Sequence, residues 1–187
     1  TPDVEATLEV WDAKLAKVGE ALAAARTEAL VALEPLAAVV SDRLTSGRST
    51  LTATPVADWT AEGLAAALHR VRDDDLRRGM TTVGPQRDDV KLTLDGMPAR
   101  THASQGEQRS VALALRLAGH RLVAERTGTS PMVLLDDVFS ELDRERAEAL
   151  VSLVPDAQVV VTAAAAVPDS VRFDAVMDLV VGSGVDG

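Results

Sequence analysis

The feature that most constrains this chain is a short all-apolar run, Met132, Val133, Leu134 and Leu135, closed by two carboxylates, Asp136 and Asp137. Such a run predicts a buried parallel strand. Its charge then falls at the C-terminal edge of a sheet, where open α/β sheets bind their ligands. A strand that merely leaves the core into a polar loop would read the same way, so the run needs company before it carries function. Residues 159–161 predict another buried strand, and 175–181 a last one. Val90, Leu92 and Leu94 alternate with Lys91 and Thr93 before Asp95-Gly96, which predicts a strand entering a hairpin turn. Helices are predicted over 104–127, stopped by Gly128, and over 143–153. This interleaving makes 80–187 an α/β layer. The Gly-rich tail 182–187 predicts a mobile end.

Residues 1–79 predict an α-helical lobe. Val4, Leu8, Trp11, Leu15, Val18 and Leu22 step by four and three residues, an a/d seam on a long helix over 2–33. An ordinary core-facing helix and a coiled-coil arm both fit that seam. Pro35 predicts a break or kink, followed by a second helical stretch to about Leu44. Residues 48–58 read as a Thr-rich connection with one possible short strand around Leu51. A second helix is predicted over 60–78, with Gly79 at its left-handed stop. Its Arg70, Arg72, Arg77 and Arg78 alternate with Asp73, Asp74 and Asp75, which suits a solvated, self-paired face better than a DNA contact.

Composition narrows the classes. Aromatic residues are only 2% of the 187, so the core is built from Leu, Val and Ala, and helices must pack closely through small side chains. The absence of cysteine excludes a disulfide scaffold, a cysteine zinc site and a thiol nucleophile. No apolar stretch reaches membrane-spanning length and no secretory pattern opens the chain, so the expectation is a cytoplasmic protein without a membrane partner. A net charge of −10 argues, taken alone, against nucleic acid, although net charge does not locate patches.

Ser104, Gln105, Gly106, Glu107 and Gln108 supply the company that the strand needs. Ser104 with Glu107 three residues on is a capping box, so a helix begins there. A helix start with free backbone N–H groups, a hydroxyl and a glycine for close approach also suits a phosphate. The strand follows about 28 residues after Ser104, and Ser140-Glu141-Leu142-Asp143 follows the strand directly. This order resembles the signature motif, Walker B strand and D-loop of ABC-type ATPases. The fold expected from it is α/β, a partial ABC-type (P-loop) ATPase lobe preceded by the helical lobe. A phosphate-binding loop needs Gly-x₄-Gly-Lys-Ser/Thr. The nearest spacing, Gly79 to Gly84, continues Pro85-Gln86 and lacks both lysine and hydroxyl. The chain is therefore expected to be a C-terminal piece whose parallel sheet lacks strands and which does not hydrolyse ATP alone.

Within that class, Val83-Gly84-Pro85-Gln86-Arg87-Asp88-Asp89, the variant signature Ser104–Arg109, Leu134-Leu135-Asp136-Asp137-Val138 and Ser140–Asp143 are similar to the RecF family. Trp11-Asp12 with Leu15 and Gly19 is like the start of that family's helical lobe. The chain departs from the pattern at Gln86, where histidine is usual, and at Ala163-Ala164, where threonines are usual.

The resemblance implies a slow ATPase in DNA replication, recombinational repair and the SOS response. Such a protein dimerises head-to-tail across two ATP molecules and binds double-stranded DNA near single-strand gaps. It works with RecR and RecO to load RecA. Asp136 would hold Mg²⁺ through water, Asp137 would orient or activate water, and Thr162 would stand at the sensor position. Ser104 and Gly106 would clasp the partner's γ-phosphate, with Gln105, Glu107 and Gln108 beside them. Ser140 and Asp143 would lie on the dimer interface, and Arg109 would support the site or that contact. His69, His102 and His120 are expected to be structural or solvent-facing. The rival readings are an SMC or Rad50-like head, a transporter nucleotide-binding subunit and a non-catalytic interaction domain. The absence of cysteine and the short helical part weigh against the first.

Overall fold

The computed structural model describes residues 2–164 and 167–177. Its elements are α1 (Pro2–Leu44), β1 (Leu51–Val56), α2 (Leu64–Arg78), β2 (Asp89–Leu94), β3 (Met97–Pro98), α3 (Ala99–His102), α4 (Gln105–Thr127), β4 (Val133–Asp136), α5 (Arg144–Leu153) and β5 (Val159–Thr162), with a 3₁₀ turn over Val138–Glu141. β1, β2 and β3 form an antiparallel sheet, and β4 and β5 a parallel pair. Asp95 and Gly96 both take positive φ, 50° and 79°, as a two-residue hairpin turn of that sequence demands.

Two expectations about α1 are corrected. The helix does not stop at residue 33 or break at Pro35; it runs through to Leu44, about 65 Å at the usual rise. Pro35 withholds a hydrogen bond from the Val31 carbonyl, but both residues are exposed, so water can serve that oxygen. Ala37, Leu44 and the flanking Leu33, Leu36 and Val40 meanwhile hold the helix against the core on its other side. The a/d seam is only partly used as well. Leu8 and Leu15 are half-buried, whereas Trp11, Val18 and Leu22 are exposed; the buried positions are Ala16 and Gly19. Small residues are buried against α2, with Leu15 packed at their side.

The connection over 48–58 contains a full six-residue strand, because Leu51 and Ala53 are buried while Thr52 and Thr54 are exposed, and β1 pairs along its whole length with β2. α2 starts at Leu64 rather than near Thr60, since Gly63 takes φ 86°, outside the helical region. Residues 175–177 are not in a strand, and 178–181 lie outside the described residues, as does the tail over 182–187. The described parallel sheet offers β4 only β5, and no described strand lies beside 175–177 to complete a ladder.

One core joins α1, β1, α4 and α5 through Ala37, Leu44, Leu51, Ala114, Ala118 and Leu150, so elements from both sides of position 79 share it. Fully buried alanines at 37, 114 and 118 let the helices approach closely, as the aromatic-poor composition requires. The other core gathers Ala16, Trp59, Leu64, Ala67, Leu68 and Val83. A side chain at Gly19 would collide with Leu64 Cδ2 at 2.5 Å and with Pro85 at 3.2 Å. The segment after α2 is pinned there: Arg26 Nη1 donates to the Pro85 carbonyl at 2.6 Å and Trp59 Nε1 to Asp88 at 2.8 Å. The charged face of α2 pairs with itself only through Arg77 and Asp74; Arg70 reaches Glu62 just before the helix at 2.5 Å, and Arg72 reaches Asp12 of α1 at 2.5 Å. His120 is bonded to the Pro131 carbonyl at 2.7 Å.

Candidate functional site

β4 and β5 lie parallel with Asp136 beside Thr162, so both functional side chains leave the same end of the sheet. The Thr162 hydroxyl donates to Asp136 Oδ1 at 2.5 Å. Asp136 is exposed, and no described group bonds its other oxygen. Asp137 leaves the strand with φ 45° and ψ 29°, a left-handed conformation that L-residues adopt at a cost of about 1–2 kcal/mol. The turn is held from several directions. The Asp137 N–H donates to the Thr162 carbonyl at 3.0 Å and its hydroxyl at 3.1 Å. The carboxylate accepts from the Ser140 hydroxyl at 3.0 Å and from the Ala164 N–H at 3.2 Å. The Ser140 hydroxyl also lies 2.8 Å from the Asp137 carbonyl. Strain at a residue held this firmly by its surroundings is a mark of functional positions.

Magnesium takes oxygen ligands and keeps several waters, so one or two carboxylates beside a substrate phosphate suffice. Asp136 fits that requirement by chemistry and by exposure. No cluster of three or more His, Cys, Asp or Glu side chains that could hold a metal ion exists among the described residues.

The signature segment is built as the sequence predicts. Ser104 caps α4: its hydroxyl accepts from the Glu107 N–H at 3.3 Å and donates to Glu107 Oε2 at 2.7 Å, and the Ser104 N–H donates to the same oxygen at 2.8 Å. These bonds, from the Ser104 hydroxyl first and its backbone N–H second, hold the Glu107 carboxyl below the usual carboxylate range, with the Arg146 charge adding to them. Ser104 and Gln105 are exposed. Gln108 turns back to donate to the Ala103 carbonyl at 3.0 Å, so it braces the entry to the helix.

Residues 140–143, the segment that resembles a D-loop, sit beside that helix. Arg109 Nε pairs with Glu141 at 3.0 Å, and its Nη1 reaches the Glu141 carbonyl at 3.3 Å. Asp143 caps α5 by accepting from the Arg146 N–H at 2.8 Å. A cavity of about 420 Å³ lies between α4 and the sheet edge, lined among others by Arg109, Arg116, Asp136, Asp137 and Ser140. One side of this cleft therefore carries guanidinium groups and the other carboxylates.

Comparison with known proteins finds relatives over most of the chain. The chain is 45% identical over 168 residues to the DNA replication and repair protein RecF of Streptomyces avermitilis, covering 84% of this chain and 45% of the relative. It is 42% identical over 173 residues to RecF of Frankia alni, covering 84% of this chain and 46% of the relative. Two solved structures of the recombination mediator protein RecF in the RecFOR pathway superpose on it. The RecF-ATP structure has a TM-score of 0.75 at 28% identity, covering 90% of this chain and 47% of that one. The RecF-ATPrS structure has a TM-score of 0.74 at 29% identity, covering 86% of this chain and 46% of that one. This chain belongs to the RecF family. It spans about half the length of the RecF relatives it matches. No family model matches it. Its fold is the α/β fold of those RecF structures over the part they share. No described helix is long and apolar enough to cross a membrane.

Measured against the RecF-like motifs, the structure brings together Asp136, Asp137, Ser140 and Thr162 at one sheet edge, and Ser104, Gly106, Glu107 and Asp143 around the start of α4. Three features escaped the sequence. The bond from Thr162 to Asp136 depends on parallel register, which no local pattern encodes. The left-handed backbone of Asp137 has no sequence mark, since neither neighbour is glycine. Arg146 reads as one more charge on an amphipathic helix, yet its side chain is only 20% exposed.

Proposed function

We propose that this stretch supplies the signature, Walker B and D-loop parts of a composite ATP site in a DNA replication and repair ATPase of the RecF type. In this reading it contributes to two nucleotides. Asp136 holds Mg²⁺ through water, and the ion, when bound, neutralises charge on the phosphates. Asp137 orients the attacking water; its carboxylate reaches one methylene less far than glutamate, which suits slow hydrolysis. Thr162 fixes Asp136 and stands near the γ-phosphate at the sensor position. Ser104, Gly106 and the first free N–H groups of α4 clasp the γ-phosphate of ATP held by a second copy, flanked by Gln105, Glu107 and Gln108. Ser140 and Asp143 lie on that dimer contact. Residues 1–79 serve as the helical lobe and 80–187 as the ATPase part.

ATP thus closes a head-to-tail homodimer, which binds double-stranded DNA at single-strand gaps in the cytoplasm. The dimer acts there with RecR and RecO to load RecA, within recombinational repair and the SOS response. Without a Gly-x₄-Gly-Lys-Ser/Thr loop, this chain alone binds ATP weakly and does not turn it over.

The observation that carries the reading is the pairing of a solvent-facing Ser104 capping box with two carboxylates at the end of β4, joined through the 3₁₀ turn and α5. It is tested by Ser104→Arg in a full-length RecF-family chain that carries this stretch. ATP-dependent dimerisation, followed by sedimentation, is expected to be lost while nucleotide binding by the monomer persists. Dimerisation equal to that of the unaltered chain would remove the trans-phosphate role.

A further inference from the structure

Arg146 stands one turn into α5, outside every motif that identifies this family. Its own backbone N–H donates to Asp143 Oδ1 at 2.8 Å, and its Nη1 donates to Asp143 Oδ2 at 2.6 Å. The guanidinium also fills the space in front of Gly106. A Cβ built at Gly106 would sit 3.0 Å from Nη1, 3.5 Å from Cζ and 3.7 Å from Nη2. A side chain at Gly106 would therefore press on the guanidinium, which would have to give by a few tenths of an ångström. Arg146 thus touches both the end of the D-loop and the first turn of α4.

The placement is not what either helix would choose for its own stability. A cation beside the N-terminal turn of a helix opposes the helix dipole. Arg146 Nε, moreover, is buried with no hydrogen-bond partner among the described residues. A buried donor left unmet is costly, and such exceptions in a folded chain call for a reason. Asp143 pairs with the guanidinium directly, and Glu107, whose carboxylate is engaged by Ser104, adds a second negative charge nearby. Arg109 adds a second tie between the same two segments through Glu141.

We propose that Arg146 is a positioning residue that locks the D-loop to the signature turn, so that the two surfaces a second copy must meet move as one rigid unit. The proposal rests on the trans-phosphate reading. Closure of the dimer needs Ser104 and Asp143 to arrive in register. Arg146, held by Asp143 and pressed on Gly106, is the shortest described link between them. A separate nucleotide site within one copy should not feel it.

The test uses a full-length RecF-family chain carrying this stretch, with Arg146→Ala, Arg146→Lys, Arg146→Gln, Gly106→Ala and Ser104→Arg compared with the unaltered chain. ATP affinity is measured on dilute monomer, and ATP-dependent dimerisation by sedimentation. For Arg146→Ala we expect unchanged monomer affinity and dimerisation weakened by about tenfold, the usual size of a coupling between sites. Arg146→Lys, which keeps the charge and a donor toward Asp143, should recover most of that loss. Gly106→Ala, whose methyl presses on the guanidinium, should weaken dimerisation in the same direction, and Arg146→Gln, which keeps much of the side chain without its charge toward Asp143, should reproduce the loss and covers the case in which Arg146→Ala does not fold. If Ser104→Arg abolishes dimerisation while Arg146→Ala and Gly106→Ala dimerise normally, the positioning role is overturned and the trans-phosphate reading survives. If Arg146→Ala weakens monomer ATP binding as much as dimerisation, its effect is general and the proposal is again overturned. Normal dimerisation by Ser104→Arg would overturn the parent reading instead.

Discussion

Ser104→Ala isolates the physics of the signature turn from its proposed chemistry. The substitution deletes the acceptor of the Glu107 N–H and the donor to Glu107 Oε2, and leaves only the bond from the residue 104 N–H to that carboxylate. Loss of a serine cap costs about 1 kcal/mol, within a range of roughly 0.5–2. For a chain of this length that is a fall in Tm of about 2–4 °C. The effect carries a pH signature. Glu107 is held below its ordinary value of 4.5, chiefly by the Ser104 hydroxyl. A depressed carboxyl contributes stability that is fully present above its unfolded value and is lost as pH falls through its lowered folded value. The gap between the Ser104→Ala variant and the parent should therefore be constant at pH values above the ordinary glutamate range and narrow as the pH falls below it. Thermal unfolding of this chain followed by circular dichroism across that range measures it. Identical melting of variant and parent at neutral pH, or a gap that does not change on acidification, would refute the argument that the serine and the glutamate act as a reciprocal pair.

Two further outcomes follow from the same geometry. Pro35→Ala restores an N–H to a continuous helix whose Val31 carbonyl now has none, and should raise stability by about 1–3 kcal/mol in urea unfolding; no gain would mean that α1 is not continuous at that point. In a full-length RecF-family chain carrying this stretch, Asp137→Asn should lower ATP hydrolysis by about 100-fold, the lower reach of acid–base effects, while ATP-dependent dimerisation persists in sedimentation.

The elements that sequence specified were those with a local chemical cause. The capping box at Ser104 and Glu107, the left-handed glycines at 79 and 128, the Asp95-Gly96 turn and the apolar run into Asp136 all encode their geometry within a few residues, and each is found where it was read, except that the run is a strand buried on one face only, with Leu134 69% exposed among the described residues. What depended on distant partners was not legible. Pro35 is a breaker by its own chemistry, but its unmet carbonyl faces water and its neighbours hold a core face, so the helix continues. The heptad seam of α1 is a pattern of large side chains, whereas the neighbour it meets is Leu64 pressed on Gly19, a contact that selects for absence of a side chain. Within the site, the carboxylates and the serine were readable from order and spacing. The left-handed turn at Asp137, the hydroxyl of Thr162 on Asp136 and the guanidinium of Arg146 against Gly106 arise only when strands and helices from distant parts of the chain are brought side by side.

The most direct measurement is a photo-crosslink across a mixed dimer of full-length RecF-family chains carrying this stretch. One copy has a disabled phosphate loop, the other carries Ser104→Arg, and ATP bears a photoreactive group on its γ-phosphate. The account predicts that the label, though bound by the Ser104→Arg copy, is recovered on residues 104–109 of the copy that cannot itself bind nucleotide. Label confined to the copy that binds ATP would contradict it.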